Sequence, residues 1–114
     1  MKFDFSEDFL RDVKKLRKKI PSLEEDLKNF MKFIPVVDFS KNKRFILIKE
    51  DCFKNIQIIK TRLMVRSLKG ASKTRLIFSF SKRGEEIYFI EIYLKNHKSR
   101  EDFLRIDDYL NGCE

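Results

Sequence analysis

Apolar and polar positions recur at two different periods along this chain, and the switches between them divide it into elements. Met1 to Phe5 alternates weakly, which predicts a short first strand. After Ser6, an N-cap residue followed by Glu7 and Asp8 at the positive end of the helix dipole, apolar residues fall at Phe9, Val13, Leu16 and Ile20. That is the spacing of one helix face, and it predicts a helix to about Lys19. Ile20-Pro21 ends it, because proline disfavours helical geometry in the residue before it. Ser22-Leu23-Glu24-Glu25 reads as a capping box opening a second helix, with an inner stripe of Leu23, Leu27, Phe30, Met31 and Ile34 and a stop at Pro35.

The period is hardest to read over residues 36–55, where Arg44-Phe45-Ile46-Leu47-Ile48 fits either a strand or a short covering segment. Period-two runs then predict strands at about 56–66, 73–81 and 86–95, with Lys82-Arg83-Gly84-Glu85 as a tight hairpin between the last two. Ser99-Arg100-Glu101-Asp102 caps a terminal helix with apolar positions Phe103, Ile106 and Leu110, ending at Asn111-Gly112. The economical way to bury these stripes is an α+β domain of two layers: an antiparallel meander of three to four strands packed against two N-terminal helices, with a short C-terminal helix.

The cations on the predicted strands change the picture. Alternate side chains of a strand point to opposite faces, so in the run from Ile58 to Arg66 the residues Ile59, Thr61, Leu63 and Val65 share one face while Lys60, Arg62 and Arg66 share the other. Arg75 opens the next strand and Lys95 closes the third. A sheet buried on one face and cationic on the other suits a phosphate backbone, because fixed cations release the counterions condensed on nucleic acid. By the same parity Tyr88 and Tyr93 fall on opposite faces, with Tyr93, Glu91 and Lys95 on the cationic one. A single Lys or Arg on the polar side of a strand ordinarily serves solvation and edge protection, so the weight rests on the convergence of four.

The 114 residues, 42% hydrophobic with twelve Phe, fit one domain over 1–114. Twenty-six Lys and Arg against 18 Asp and Glu give a net charge of +8, which permits a nucleic acid, an acidic protein or an anionic membrane surface as partner. No apolar run is long enough to span a membrane, and Met1 to Phe5 lacks a secretory signature, so a cytoplasmic protein is expected. Cys52 and Cys113 have no metal-type spacing. With one His and two distant Cys the ligand count excludes zinc hydrolysis, and no cofactor or metal is expected. The run Lys14-Lys15 with Arg17-Lys18-Lys19 reads as the solvated back of the first helix.

The succession of elements, with Ile-Lys60-Thr-Arg62-Leu, a basic Gly-containing loop, Arg75-Leu-Ile-Phe and Ile-Tyr93-Leu-Lys95-Asn, resembles the RelE/ParE superfamily of toxin–antitoxin toxins, and within it the HigB/RelE-like branch. The resemblance spans nearly the whole chain and implies a RelE-like fold. It further implies a cognate acidic antitoxin in a toxin–antitoxin hetero-oligomer and, in RelE-like members, cleavage of mRNA in the ribosomal A site without a metal. ParE-like members instead poison DNA gyrase. The family's basic catalytic positions map onto Lys60, Arg62, Arg75 and Lys95, with His97 assisting, and Arg66, Lys69, Lys73 and Tyr93 are expected to bind RNA. Phe103 stands where the family carries a tyrosine, so His97, Tyr93 and Tyr109 are the candidate substitutes for a phenolic proton donor.

Transesterification of RNA places negative charge on the phosphoryl oxygens and the leaving 5′-oxygen. Arg75 suits a two-pronged phosphate clamp, Lys60 and Lys95 add point charges, and Arg62 positions the backbone. Lys60 crowded by cations is a candidate base; Glu91 reads as an ion-pair partner. Beside the ribonuclease stand a gyrase-directed toxin on the same fold and a basic nucleic-acid-binding domain without catalysis. An RNA recognition motif is disfavoured by the order of strands and helices and by the absence of its glycine-aromatic pattern.

Overall fold

The computed structural model describes residues 1–36, 38, 39, 41–67 and 73–112. The strands are β1 (Lys2–Phe5), β2 (Ile46–Asp51), β3 (Ile56–Arg62), β4 (Thr74–Ser81) and β5 (Glu86–Leu94); the helices are α1 (Glu7–Leu16), α2 (Leu23–Phe33) and α3 (Phe103–Gly112). They form one sheet in the order β1-β5-β4-β3-β2. β2 to β5 are the expected antiparallel meander, resolved in favour of a strand at Ile46–Asp51. β1 pairs parallel to β5, so the sheet is mixed and five-stranded rather than a three- to four-stranded antiparallel one. The α1–α2 pair carries the chain from the β1 edge to the β2 edge, and that crossing lets a first strand lie parallel to the last.

Ser6 caps α1 as its type predicts: its hydroxyl accepts from the Phe9 N–H at 3.0 Å. The helix ends at Leu16, three residues earlier than expected, and a turn follows. The capping box at α2 does not form. The Ser22 hydroxyl donates to the Asp26 carboxylate at 2.6 Å and Glu25 pairs with Arg66, so both prospective cap partners are taken by other groups. α2 tightens into a 3-10 turn at Ile34–Val36, which absorbs Pro35. At α3 the cap is Asp102 rather than Ser99, its carboxylate accepting from the Leu104 and Arg105 N–H groups at 3.1 and 3.3 Å.

The α1–α2 face is the larger core: Phe9, Leu23, Leu27, Phe30 and Ile34 pack against Ile59, Leu63, Leu76, Phe78, Phe89, Ile92 and Leu94. Phe78 and Phe89 are fully buried and meet the ring of Phe30 at 6.0 and 6.4 Å between centroids. The second face is not bare. Ile106 and Leu110 of α3 pack on Ile56, Ile58, Ile77, Ile90 and Tyr93, so the expected two layers become three over this half of the sheet. α3 leaves uncovered the end where β3 and β5 finish and β4 starts.

A β-bulge in β5 corrects the parity of the tyrosines. Ile77 pairs with Glu91 and Phe78 with Phe89, so Ile90 is an extra residue. One inserted residue shifts every later side chain by one position in the alternation. Tyr88 and Tyr93 therefore share the α3 face, where Tyr88 stacks on Tyr109 at 4.8 Å. Beyond Phe5, where β1 stops, side chains close the open edge of β5. Asp12 accepts from the Ile92 N–H at 3.3 Å, and the Ile90 carbonyl accepts from the Ser6 hydroxyl and from Arg105. Arg105 of α3 also holds Asp12 of α1 through two nitrogens at 2.7 and 3.2 Å, joining the two helix layers around the edge.

Candidate nucleic-acid interface

Lys60 and Arg62 leave β3 on the face opposite the α1–α2 core, because Ile59, Thr61 and Leu63 are spent on burial. In the ladder Arg62 lies directly opposite Arg75, and Arg75 opposite Tyr93. Lys95 follows β5, its N–H bonded to the Lys73 carbonyl at 2.7 Å. The four cations expected from the sequence, Lys60, Arg62, Arg75 and Lys95, line one hollow of about 390 Å3 together with Lys43, Arg44, Ile46 and Thr61. A larger hollow, about 670 Å3, lies elsewhere, between Phe39, Phe45, Leu47, Ile59 and Phe80. It contains none of these cations, and its walls are mainly apolar.

Like charges directly opposite on a ladder repel. The Arg75 guanidinium is held below its ordinary range first by burial and then by Arg62. Among the described residues no carboxylate ion-pairs with Arg62 or Lys95. Lys60 does have such a partner: its ammonium lies 3.0 Å from Glu101, whose side chain is 8% exposed. Burial pushes the Glu101 carboxyl up, but its own backbone N–H, Lys60 and Arg100 outweigh that and leave it below the usual carboxylate range. Tyr93, nearly buried, is pushed up to about 12 by burial and by the negative charges of Glu101 and Glu91. Glu91 itself is buried, pairs with Lys98 and accepts from the Asp102 N–H at 2.8 Å, so it anchors the start of α3. The Lys98 ammonium also sits over the Tyr93 ring, 5.7 Å from its centroid.

The remaining expected residues that are described do not line the hollow. Arg66 does not share the face of Lys60 and Arg62: β3 ends at Arg62, and Arg66 turns to α2, pairing with Glu25 at 2.6 Å and Asp26 at 3.4 Å. His97 is exposed in the turn after β5 and does not line the hollow. Lys73 is exposed beside it, and Lys69 and Cys113 lie outside the described residues. Tyr109 is bound to Ser79 at 2.8 Å, and Phe103 is 47% exposed on the first turn of α3. Sequence reasoning missed Lys43, Arg44 and Glu101. Arg44 is drawn to the site by donating to the Arg62 carbonyl at 3.0 Å. The basic run Lys41, Lys43, Arg44 just before an apolar segment was the available signal for it; Glu101 had none.

Among the described residues no helix is long and apolar enough to cross a membrane. No protein-family model matches the sequence, and no curated protein matches it. Among solved structures, a chain of the archaeal RelE–RelB complex from Pyrococcus horikoshii OT3 superposes with a TM-score of 0.53, covering 82% of this chain and 93% of that one at 14% identity. The two share a fold.

Proposed function

We propose that this chain is the toxin of a toxin–antitoxin pair, cytoplasmic and held inactive by an acidic antitoxin, and that it cleaves mRNA at the ribosomal A site. The observation that carries the reading is the gathering of Lys60, Arg62, Arg75 and Lys95 in one open hollow on the exposed part of the sheet. The fold shared with a chain of a RelE–RelB complex supports both the toxin class and a protein partner. The same fold supports neither the ribosome nor the HigB-like branch in particular; those rest on the sequence resemblance.

The chemistry asks of the protein mainly charge stabilisation. The 2′-hydroxyl gives up its proton to solvent as its oxygen attacks the adjacent phosphorus, the bond to the 5′-oxygen breaks and that oxygen takes up a proton, and a cyclic phosphate forms. Arg75 and Arg62, side by side on adjacent strands, hold the non-bridging oxygens as negative charge builds, and Lys95 faces the leaving oxygen. Lys60, bonded to Glu101, acts as a fixed cation rather than a base. His97 next to the end of β5 is the proposed donor to the leaving group. The phenol of Tyr93, with its raised pKa, stays protonated throughout the physiological range.

Inducing the protein in cells and mapping message ends by primer extension tests this. Cuts are expected with the native chain, and Arg75→Ala should lower the cleavage rate by about a hundredfold, the usual cost of removing one transition-state donor. DNA-damage induction with intact message would favour gyrase instead. A second reading has an observation of its own: among the described residues lining the hollow there is no carboxylate or imidazole, which suits a site that holds RNA without cutting it. Under that reading RNA binds and no cuts appear.

A further inference from the structure

We infer that Glu101 is an internal counter-ion of the hollow, occupying Lys60 in the place of a phosphate oxygen, so that RNA gains Lys60 only by exchange with this carboxylate. The inference rests on the reading of the hollow as an RNA site and assigns it a residue that limits affinity. The Lys60 ammonium meets a Glu101 oxygen at 3.0 Å, the contact a phosphate oxygen would make. The carboxylate is resident rather than wandering. Its side chain is nearly buried, and the next residue, Asp102, is fixed twice, by its N–H to Glu91 at 2.8 Å and by its cap on α3. Arg62 and Lys95, in the same hollow, carry no such partner among the described residues. One cation of the cluster is therefore neutralised in place while its neighbours stay available. A chain of net charge +8 binds polyanions indiscriminately unless some of that charge is answered internally.

The test is the affinity of the full chain for a single-stranded oligoribonucleotide, measured by fluorescence anisotropy over a series of salt concentrations. Glu101→Gln should bind about fivefold more tightly at low salt than Glu86→Gln, a control that removes an exposed carboxylate at the far end of β5, and its log–log salt dependence should steepen by about 0.7, one additional phosphate contact. The double variant Lys60→Met/Glu101→Gln should return to within about twofold of the native chain, because the pair is removed as a neutral unit. Glu101→Gln binding no more tightly than the Glu86→Gln control overturns the inference, and so does a double variant about tenfold weaker than native. Circular dichroism checks folding. If Glu101→Gln does not fold, Glu101→Asp, which withdraws the carboxylate by one methylene, is expected to bind more tightly than native, and native-strength binding overturns the inference. Arg62→Ala and Arg75→Ala separate the two failures: if neither weakens binding, the hollow is not the RNA site, whereas weakening by these two without tightening by Glu101→Gln sinks the inference alone.

Discussion

Tyr93 illustrates how far a side chain's surroundings, rather than its type, set its chemistry. Its ring is covered by Lys98, and burial first, then the negative charges of Glu101 and Glu91, raise the phenol from 10.0 to about 12. Because the folded-state value lies above the unfolded one, the associated stability is fully present below pH 10 and is lost as the pH rises from 10 through about 12. Alkaline titration of phenolate absorbance should therefore show a component that ionises late, near 12, and Tyr93→Phe should remove that component and flatten the loss of stability over the same window. A titration whose late component is absent, or is unchanged by Tyr93→Phe, would contradict this. The residue types at the site were legible from strand parity: Lys60, Arg62, Arg75 and Lys95 stand where alternation puts them. Glu101 was not, because it comes from a coil forty-one residues after Lys60 and only folding brings the two together.

Among the elements, β5 and its edges determine most of the architecture. The bulge at Ile90 reverses the alternation that had separated Tyr88 from Tyr93, and no pattern of apolar residues in Ile87 to Leu94 announces it, since nearly every position in that run is apolar or aromatic. The edge left open beyond β1 is closed by Asp12 and Arg105, partly buried at 17% and 25% side-chain exposure. Asp12→Ala leaves the Ile92 N–H without its acceptor and Arg105 without its main partner, and should cost about 2 kcal/mol in urea unfolding. Asp12→Ala and Arg105→Ala should be strongly non-additive in a double-mutant cycle; additive losses would show that the pair does not couple α1 to α3. In the core, Phe78→Ala should cost about 3 to 5 kcal/mol, because its fully buried ring meets those of Phe30, Phe39, Phe45 and Phe89. A loss below 1 kcal/mol, read by the same unfolding, would mean the aromatic cluster repacks freely.

For the whole molecule the governing quantity is the uneven distribution of its +8 charge. Removing Arg62, Arg75 and Lys95 together should lower the log–log salt dependence of RNA binding by about 2, at about 0.7 per phosphate contact, whereas removing Lys14 and Lys15 from the exposed back of α1 and Lys18 from the turn after it should change it less. Equal effects from the two sets would mean that net charge rather than the hollow binds RNA. The sequence by itself determined what alternation and helical spacing can encode: the order of elements, the buried stripes of α1 and α2, and that Lys60 and Arg62 leave β3 on the face opposite Ile59, Thr61 and Leu63. Those are local properties, repeated every two or about 3.6 residues. The tertiary structure alone decided the rest, from the parallel pairing of β1, the third layer made by α3 and the meeting of Lys60, Arg62, Arg75 and Lys95 in one hollow to the turn of Arg66 toward Glu25 and Asp26 and the seating of Glu101 on Lys60. Each of these joins residues far apart in the chain, and burial energy selects such pairings only once the whole core has closed.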